Sequence, residues 1–577
     1  MNERAKRLLA TRGAIGIFVG LALLLTTVGE LALAVAPEED SGPRRARRDR
    51  ESNDGALPES ENDWLDWSEA TRDVGNWFDK ETSKRLREEV LEAARRNRER
   101  WPEFPEIDDA KGKSLGVRKI EKGRVVFRTD LPSSPEVDEI PEALEAAIAP
   151  ICEFFSIDEE RFADLKIEAF LMGDVDKFIS IKALDGPPRF LYGYSMADRI
   201  YAKDQKLGYY NRFLLTHELV HTLMHEIFGD LRPRWYSEGS AEYIGLHEWD
   251  PERGTMKLAR IPDSEESTPG FGRLNQIRES VESGEVPTLD DILRFEPRDF
   301  VDVSTYSWSW ALVMFLYNSP KYKKIAEVMP YWSMLDEPNR LFVDAIGDRW
   351  DEFELDWADF IRRIDYRYDF VSSSISRAKT TDENPDLDEG ATVAIDAARG
   401  WRRTGIRLKA GESYEATAEG RFDFYVPEAE KTLEFEASGA GFDYFRGKPI
   451  GRLELVVLPD SEKKTYDDFY RPGSAPSIHQ EEPFRFDAFR DPRSRDGRKF
   501  PRRAKKEPIF ASPDDAGDEG FSASDDATYP WSQALGFEGR SLELRPNVSG
   551  ELCARINARP GDLRENKGSV RVTIRRK

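Results

Sequence analysis

Four of the five histidines in this sequence lie between positions 217 and 247, and two of them belong to a motif suited to metal binding. The segment THELVH contains His217, Glu218 and His221 in the pattern H-E-x-x-H. Residues four apart share a helix face, so both imidazoles can reach one Zn²⁺ while Glu218 projects toward a zinc-bound water. The motif predicts a zinc site with Glu218 as general base. Histidines that merely pack in a helical core are the alternative.

A catalytic zinc needs a third protein ligand and one open position. His225 continues the series of histidines, but along one helix it lies about 12 Å from His217, too far for both to bind one ion. Glu238 is the better candidate, because it follows a predicted chain reversal that would bring it back toward the histidine pair.

The chain reversal is predicted from helix-breaking residues after the motif. Gly229 and Pro233 are expected to end the first helix and turn the chain. A second helix is expected to begin near Ser237 as N-cap, which places Glu238 and Glu242 one turn apart on one face. One carboxylate would complete the metal shell, and the other would accept the N–H of a ligating histidine and fix its orientation. A solvated helix face is the alternative for these two residues.

The motif at 217–221 and the segment WYSEGSAE at 235–242 resemble the gluzincin metallopeptidases, the thermolysin-like group with an MA-type peptidase domain. The resemblance implies that Glu238 is the third zinc ligand and that Glu242 is a partner of a zinc-bound histidine. It extends over most of 116–370 and includes the aromatic segment YSWSW at 306–310. We therefore expect a zinc-dependent hydrolase of peptide bonds.

Stabilising the tetrahedral oxyanion of such a reaction requires a hydrogen-bond donor besides zinc. Tyr306 is the first candidate for this role, followed by His247 and Tyr243. A structural role is the alternative for each of the three.

The N-terminus carries a targeting pattern. A basic start is followed by an uncharged apolar run from Ala14 to Gly29 and then by small residues, with Ala34 the favoured cleavage position. The run is short for a membrane span, which needs about 20 apolar residues. A cleaved signal peptide and an uncleaved anchor are both compatible with it, and either predicts an extracytoplasmic protein, whether periplasmic, secreted or membrane-anchored.

Composition and periodicity predict a multidomain chain with an α+β metallopeptidase domain followed by an all-β sandwich. In the peptidase domain, strands are predicted at 124–130, 166–172 and 199–204. Helices dominate later, including one from about Tyr209 to Phe228 and a helical apolar run at 308–318. The predicted regions are a signal peptide or anchor at 1–36, a charged linker with a helix at 37–115, the peptidase domain at 116–371, a linker at 372–390, and the sandwich at 391–577 with a disordered insertion near 471–530.

Two stretches of the C-terminal region, at 400–412 and 555–569, are similar to the galactose-binding-like sandwiches of PA-I-type lectins. The resemblance implies a carbohydrate or cell-surface partner and a calcium loop, with Asn557, Asp562 and Asn566 as candidate ligands. Turn chemistry explains such residues equally well.

The acidic composition limits the classes of partner. A net charge of −24 argues against a nucleic-acid-binding surface, and a membrane contact is expected only through an uncleaved N-terminal segment. The two cysteines imply no disulfide framework. The alternative function is a catalytically inactive, peptidase-like binding or adhesion protein that uses its sandwich to bind carbohydrate or a protein. Glu218 favours the enzyme, since a scaffold that only binds needs no base beside the metal.

Overall fold

A five-stranded mixed sheet comes first in the part of the chain that can be described. The computed structural model describes residues 99, 101–187, 190–229, 232–332, 338–377, 386–427, 430–459 and 534–577. The strands of the first sheet are β1 (Arg118–Lys122), β2 (Val125–Thr129), β3 (Ile167–Met172), β4 (Gly193–Met196) and β5 (Arg199–Lys203). Their order is β1-β2-β3-β5-β4; β2, β3 and β5 are parallel, and β1 and β4 are antiparallel edges.

The three parallel strands are the ones predicted from sequence at 124–130, 166–172 and 199–204. Each is rich in β-branched or aromatic residues and is largely buried, as expected for strands covered on both faces. The prediction of these three strands is therefore confirmed.

Six helices accompany the sheet: α1 (Asp109–Ser114), α2 (Pro135–Asp138), α3 (Ile140–Phe154), α4 (Val175–Ser180), α5 (Gly208–Phe228) and α6 (Arg234–Gly245). Side chains of α3 and α5 join those of β2, β3 and β5 in the main core. A smaller core on the other face contains Phe170 and Tyr201 from the strands and Phe178 from α4. The sheet is thus sandwiched between two layers.

Helix α5 is the central element of this region. It contacts β4, β5, α3 and α6, and most of its 21 residues are buried. It ends at Gly229, whose φ of 75° only glycine adopts readily. The predicted helix at about 209–228, with Gly229 as its cap, is confirmed.

Helix α6 begins earlier than predicted. Pro233 occupies the N-cap position and the helix starts at Arg234, whereas the sequence suggested Ser237 as the cap. Ser237 is buried inside the first turn instead. Proline favours a helix start because its φ is fixed and its missing N–H has no partner there in any case. The prediction of Ser237 as N-cap is therefore wrong.

A helical segment follows. Its elements are β6 (Glu248–Asp250), β7 (Thr255–Lys257), α7 (Arg273–Ser283), α8 (Leu289–Leu293), α9 (Val303–Asn318), α10 (Lys323–Trp332), α11 (Pro338–Ile346), α12 (Trp350–Arg363) and α13 (Phe370–Ser373). Helix α9 is buried on nearly all sides. It begins five residues before the apolar run at 308–318, because the Asp302 side chain caps it by accepting from Ser304 N–H.

Two β-sheets make up the described part of the C-terminal region. The strands are β8 (Ser376–Arg377), β9 (Ala391–Asp396), β10 (Arg402–Leu408), β11 (Tyr414–Glu419), β12 (Phe422–Val426), β13 (Lys431–Phe435), β14 (Ser438–Phe445), β15 (Lys448–Pro459), β16 (Leu535–Gly536), β17 (Ser541–Leu544), β18 (Gly550–Ile556) and β19 (Lys567–Arg576). One sheet has the order β14-β15-β18-β10-β8, with β16 beside β15; the other has the order β13-β12-β19-β11-β17, with β9 beside β19. Side chains from both sheets share one core.

One strand pairing and several buried polar contacts join the helical region to the β region across the predicted linker. Strand β8 lies inside the segment expected to be a linker and pairs in parallel with β10. Asp359 of α12 accepts from Trp401 Nε1 at 3.0 Å and lies 3.4 Å from Arg555 Nη1. Arg555 also binds Glu454 at 2.9 Å. The described residues all belong to one compact unit, Asn62–Lys577.

Several predictions fall outside the described residues. These are the signal peptide or anchor at 1–36, nearly all of the charged linker before residue 101, and the insertion near 471–530. Within the described ranges, no helix combines the length and apolar character needed to cross a bilayer. Cys152 and Cys553 are both buried free thiols.

Candidate metal centre

The side chains of His217, His221 and Glu238 converge on one point. His221 Nε2 lies 3.1 Å from His217 Nε2 and 3.1 Å from Glu238 Oε2, and His217 Nε2 lies 3.6 Å from the same oxygen. One potential ligand atom of each residue lies within 4.8 Å of the other two, an arrangement that could hold a metal ion. The structure therefore brings together the three predicted ligands.

Two helices present these ligands. His217 and His221 are one turn apart on α5, and their rings meet edge to face with centroids 4.8 Å apart. Glu238 lies in the first half of α6, which packs against α5 after the chain reversal. The predicted chain reversal thus brings Glu238 back beside the two histidines, although the second helix begins three residues earlier than Ser237.

Gly239 permits α6 to lie close to α9. A Cβ atom at this position would stand 2.7 Å from Val313 Cγ2 and even nearer to the Ser309 carbonyl oxygen. Because Glu238 is its neighbour, the close packing of these two helices fixes the depth at which the carboxylate enters the site.

The donor set suits a divalent cation of borderline softness. Burial alone would raise the pKa of Glu238, but attraction to His221 and hydrogen bonds with both imidazoles keep that pKa well below its usual range. His217 Nδ1 is buried and has no hydrogen-bond partner among the described residues. Two imidazole nitrogens and one carboxylate oxygen facing a common point match the ligands of a catalytic zinc site.

Glu242 lies behind the site, where an arginine holds it. Its Oε1 is 3.7 Å from His217 Nδ1, and its two oxygens accept from Arg273 Nε and Nη2 at 2.9 and 3.0 Å. Both members of this ion pair are buried. Arg273, the first residue of α7, was not singled out from sequence. Its separation of 31 residues from Glu242 gives no periodic signal, because the contact depends on how α7 packs.

Glu218 is nearly buried, with 7% of its surface exposed. Burial raises the pKa of Glu218 to about 8, and Glu238 and Glu242 add to the rise, whereas His221 and hydrogen bonding to Ser195 oppose it. A divalent cation beside the carboxylate would lower this pKa. A carboxylate with a raised pKa next to a metal ligand set has the character of a general base.

Tyr306 borders the site. Its ring centroid is 6.4 Å from that of His217, and the Arg273 guanidinium lies 5.7 Å from the ring centre. Burial, together with Glu238, Glu242 and Glu218, raises the pKa of Tyr306 well above its usual value, so the hydroxyl keeps its proton. A protonated phenol near the ligands is able to donate a hydrogen bond to developing negative charge.

The other candidates from this part of the sequence have contacts of their own. His225 is exposed in the last turn of α5. His247 stacks on Tyr209 with centroids 4.5 Å apart, and its ring nitrogens contact Arg212 and the Gly245 carbonyl. The Tyr243 hydroxyl accepts from Asn318 Nδ2 at 2.8 Å. These contacts are structural.

The candidate calcium residues contact three separate parts of the chain. Asn557 Nδ2 donates to backbone carbonyls, among them that of Pro449 at 3.0 Å. Asn566 bridges Tyr425 N–H and the Ala397 carbonyl at 2.9 and 3.1 Å, and Asp562 pairs with Arg367. Each side chain therefore serves to hold the fold together. Calcium binding stays a prediction.

Comparisons with known proteins leave the family open. No protein-family model matches this chain, and no curated protein matches it. The resemblance to gluzincins therefore rests on the sequence motifs at 217–221 and 235–242.

Proposed function

We propose that this protein is a gluzincin-like zinc metallopeptidase that acts outside the cytoplasm. The observation that carries the proposal is the convergence of His217, His221 and Glu238, contributed by two helices, with Glu218 one residue from the first ligand. A site built only for binding a metal would not need the buried carboxylate beside it.

The residues of the site have separate tasks in this proposal. His217, His221 and Glu238 hold Zn²⁺, which supplies Lewis acidity and an activated water when bound. Glu218 accepts the proton of the attacking water and passes it to the leaving amine. The Tyr306 hydroxyl donates to the oxyanion, and Glu242 orients His217.

The edge strand β4 offers a place for an extended peptide. Lys203 N–H donates to the Tyr192 carbonyl at 2.8 Å, which makes residues 192 and 203 a hydrogen-bonded pair. Because such pairs alternate in an antiparallel ladder, the peptide groups of Gly193 and Ser195 point away from β5. In the described part of the chain, no strand pairs with this outer edge. Addition of a substrate strand there would bring a peptide bond beside Glu218.

Metal content and hydrolysis test the proposal together. We expect one zinc per chain and cleavage of casein or of a mixed peptide library by the wild type. Glu218→Gln should retain zinc and lose activity about a thousandfold, since only the base is removed. Glu238→Ala should lose zinc. Glu121→Gln, which alters an exposed carboxylate on β1, is the matched control and should behave as wild type.

Two results would count against the peptidase. Hydrolysis that survives Glu218→Gln would remove the proposed mechanism. A zinc-loaded wild type that cleaves no peptide would favour the alternative, a peptidase-like binding protein whose C-terminal sandwich binds carbohydrate or a protein partner.

A further inference from the structure

Two residues of the edge strand β4 lie against the Glu218 carboxylate. A Cβ atom built on Gly193 would stand 2.6 Å from Glu218 Oε1, so any side chain there would displace the carboxylate. Ser195, two residues further on, lies on the same face of the strand. Its hydroxyl is a hydrogen-bond partner of the Glu218 carboxylate. Strand and base are therefore in direct contact.

The base needs such support because its surroundings repel it. Glu238 and Glu242 both act on Glu218 as like charges. A glutamate side chain also has three rotatable bonds, and a nearly buried carboxylate needs hydrogen-bond donors. Ser195 supplies a donor on the side facing β4.

We propose that Ser195 and Gly193 are positioning residues for the base, Ser195 by donating to the Glu218 carboxylate and Gly193 by leaving room for it. The inference rests on the proposed function and extends it. Gly193 and Ser195 would pair with a substrate through their outward peptide groups, and the same two residues hold the Glu218 side chain. Strand β4 therefore fixes where the scissile peptide bond lies relative to the base. A shift of the strand would therefore misplace both at once.

Substitutions on β4 test this role. Ser195→Ala should lower kcat roughly ten- to thirtyfold, with KM within about twofold and zinc content unchanged, because a hydrogen bond to a charged group is lost. Ser195→Thr retains the hydroxyl and suits a strand, so it should restore most of kcat. Gly193→Ala should also lower kcat with zinc retained, since its Cβ pushes the carboxylate away. Equal thermal unfolding midpoints for the variants would exclude a folding defect.

An equilibrium probe separates this inference from the peptidase proposal. Acetohydroxamate can bind zinc through its two oxygens while a proton-bearing atom donates to Glu218, and its affinity is measurable without turnover. We expect Glu218→Gln and Ser195→Ala to weaken binding several-fold and Ser195→Thr to leave it unchanged. If Ser195→Ala matches wild type in hydroxamate affinity, or if Ser195→Thr is as impaired as Ser195→Ala, the positioning role is refuted. Serine-dependent hydroxamate binding without peptide cleavage would refute the peptidase proposal alone.

Discussion

Substituting Arg273 tests how the candidate metal site is supported, because it leaves all three candidate ligands unchanged and removes only the partner of Glu242. In Arg273→Met the buried Glu242 carboxylate loses both hydrogen bonds from Arg273, at 2.9 and 3.0 Å, while a side chain of similar length still fills the space. Removing one partner of a buried ion pair costs about 3–5 kcal/mol. We expect the lower end, about 3 kcal/mol of unfolding free energy, because His217 remains near the freed carboxylate.

The same substitution should weaken zinc binding. In the proposed site Glu242 orients His217, which requires Arg273 to fix the Glu242 carboxylate. The loss of such outer partners costs about ten- to hundredfold in metal affinity. The assay is competition with a chelator of known zinc affinity, together with denaturant unfolding of the metal-free protein. Arg278→Met is the matched control. It removes a partly exposed arginine from the same helix, where Asp365 is the partner, and should leave zinc affinity unchanged.

A double variant identifies the cause. Arg273→Met with Glu242→Gln leaves no unpaired charge, so it should recover part of the lost stability, whereas zinc affinity should stay low. An Arg273→Met protein that is folded and binds zinc as tightly as wild type would refute the view that this ion pair orients His217.

Two further predictions concern stability. Gly239→Ala should lower the free energy of unfolding by several kcal/mol, because its Cβ would overlap the Ser309 carbonyl and force α6 and α9 apart. Thermal unfolding measures this loss, and a change in unfolding free energy below about 0.5 kcal/mol would contradict the prediction. Burial lowers the pKa of His247 to about 4, whereas an unfolded histidine titrates near 6.5. Between these two pH values the unfolded state binds more protons than the folded state. The free energy of unfolding should therefore fall by up to about 3 kcal/mol as the pH drops from about 6.5 to 4. His247→Gln should flatten that dependence in denaturant titrations at pH 7 and pH 4.5, and an unchanged slope would contradict it.

The convergence of the candidate ligands could be predicted from sequence because local periodicity fixes most of their geometry. A spacing of four residues places His217 and His221 on one helix face, whatever surrounds the helix. Gly229 and Pro233 mark the reversal that returns Glu238 to them. The support of the site could not be predicted in this way. Arg273 reaches Glu242, and β4 reaches Glu218, only through tertiary packing.

The fold could be predicted to a similar depth. Runs of β-branched and aromatic residues identify β2, β3 and β5, and Gly229, with its positive φ, ends α5 where expected. The sequence predicts the start of α6 wrongly because serine is a preferred N-cap residue. The observed N-cap is Pro233, four residues before Ser237, where the fixed φ of proline favours the start of a helix. Strand β8, in the predicted linker, has only two residues, which is too few to show a strand periodicity in the sequence. It forms only because it pairs with β10, a tertiary contact that local sequence does not reveal.

The C-terminal sheets pack against the helices that position the candidate metal centre. Asp359 on α12 is buried and hydrogen-bonded to Trp401, and Arg555 lies over the same tryptophan ring with its guanidinium carbon 4.5 Å from the ring centre. Helix α12 in turn packs against α7, the helix that begins with Arg273. Buried charges tolerate little displacement, since each needs its partners in place. Because these contacts link the C-terminal sheets through α12 to the helix that carries Arg273, the sheets contribute to the packing that holds Arg273 against Glu242.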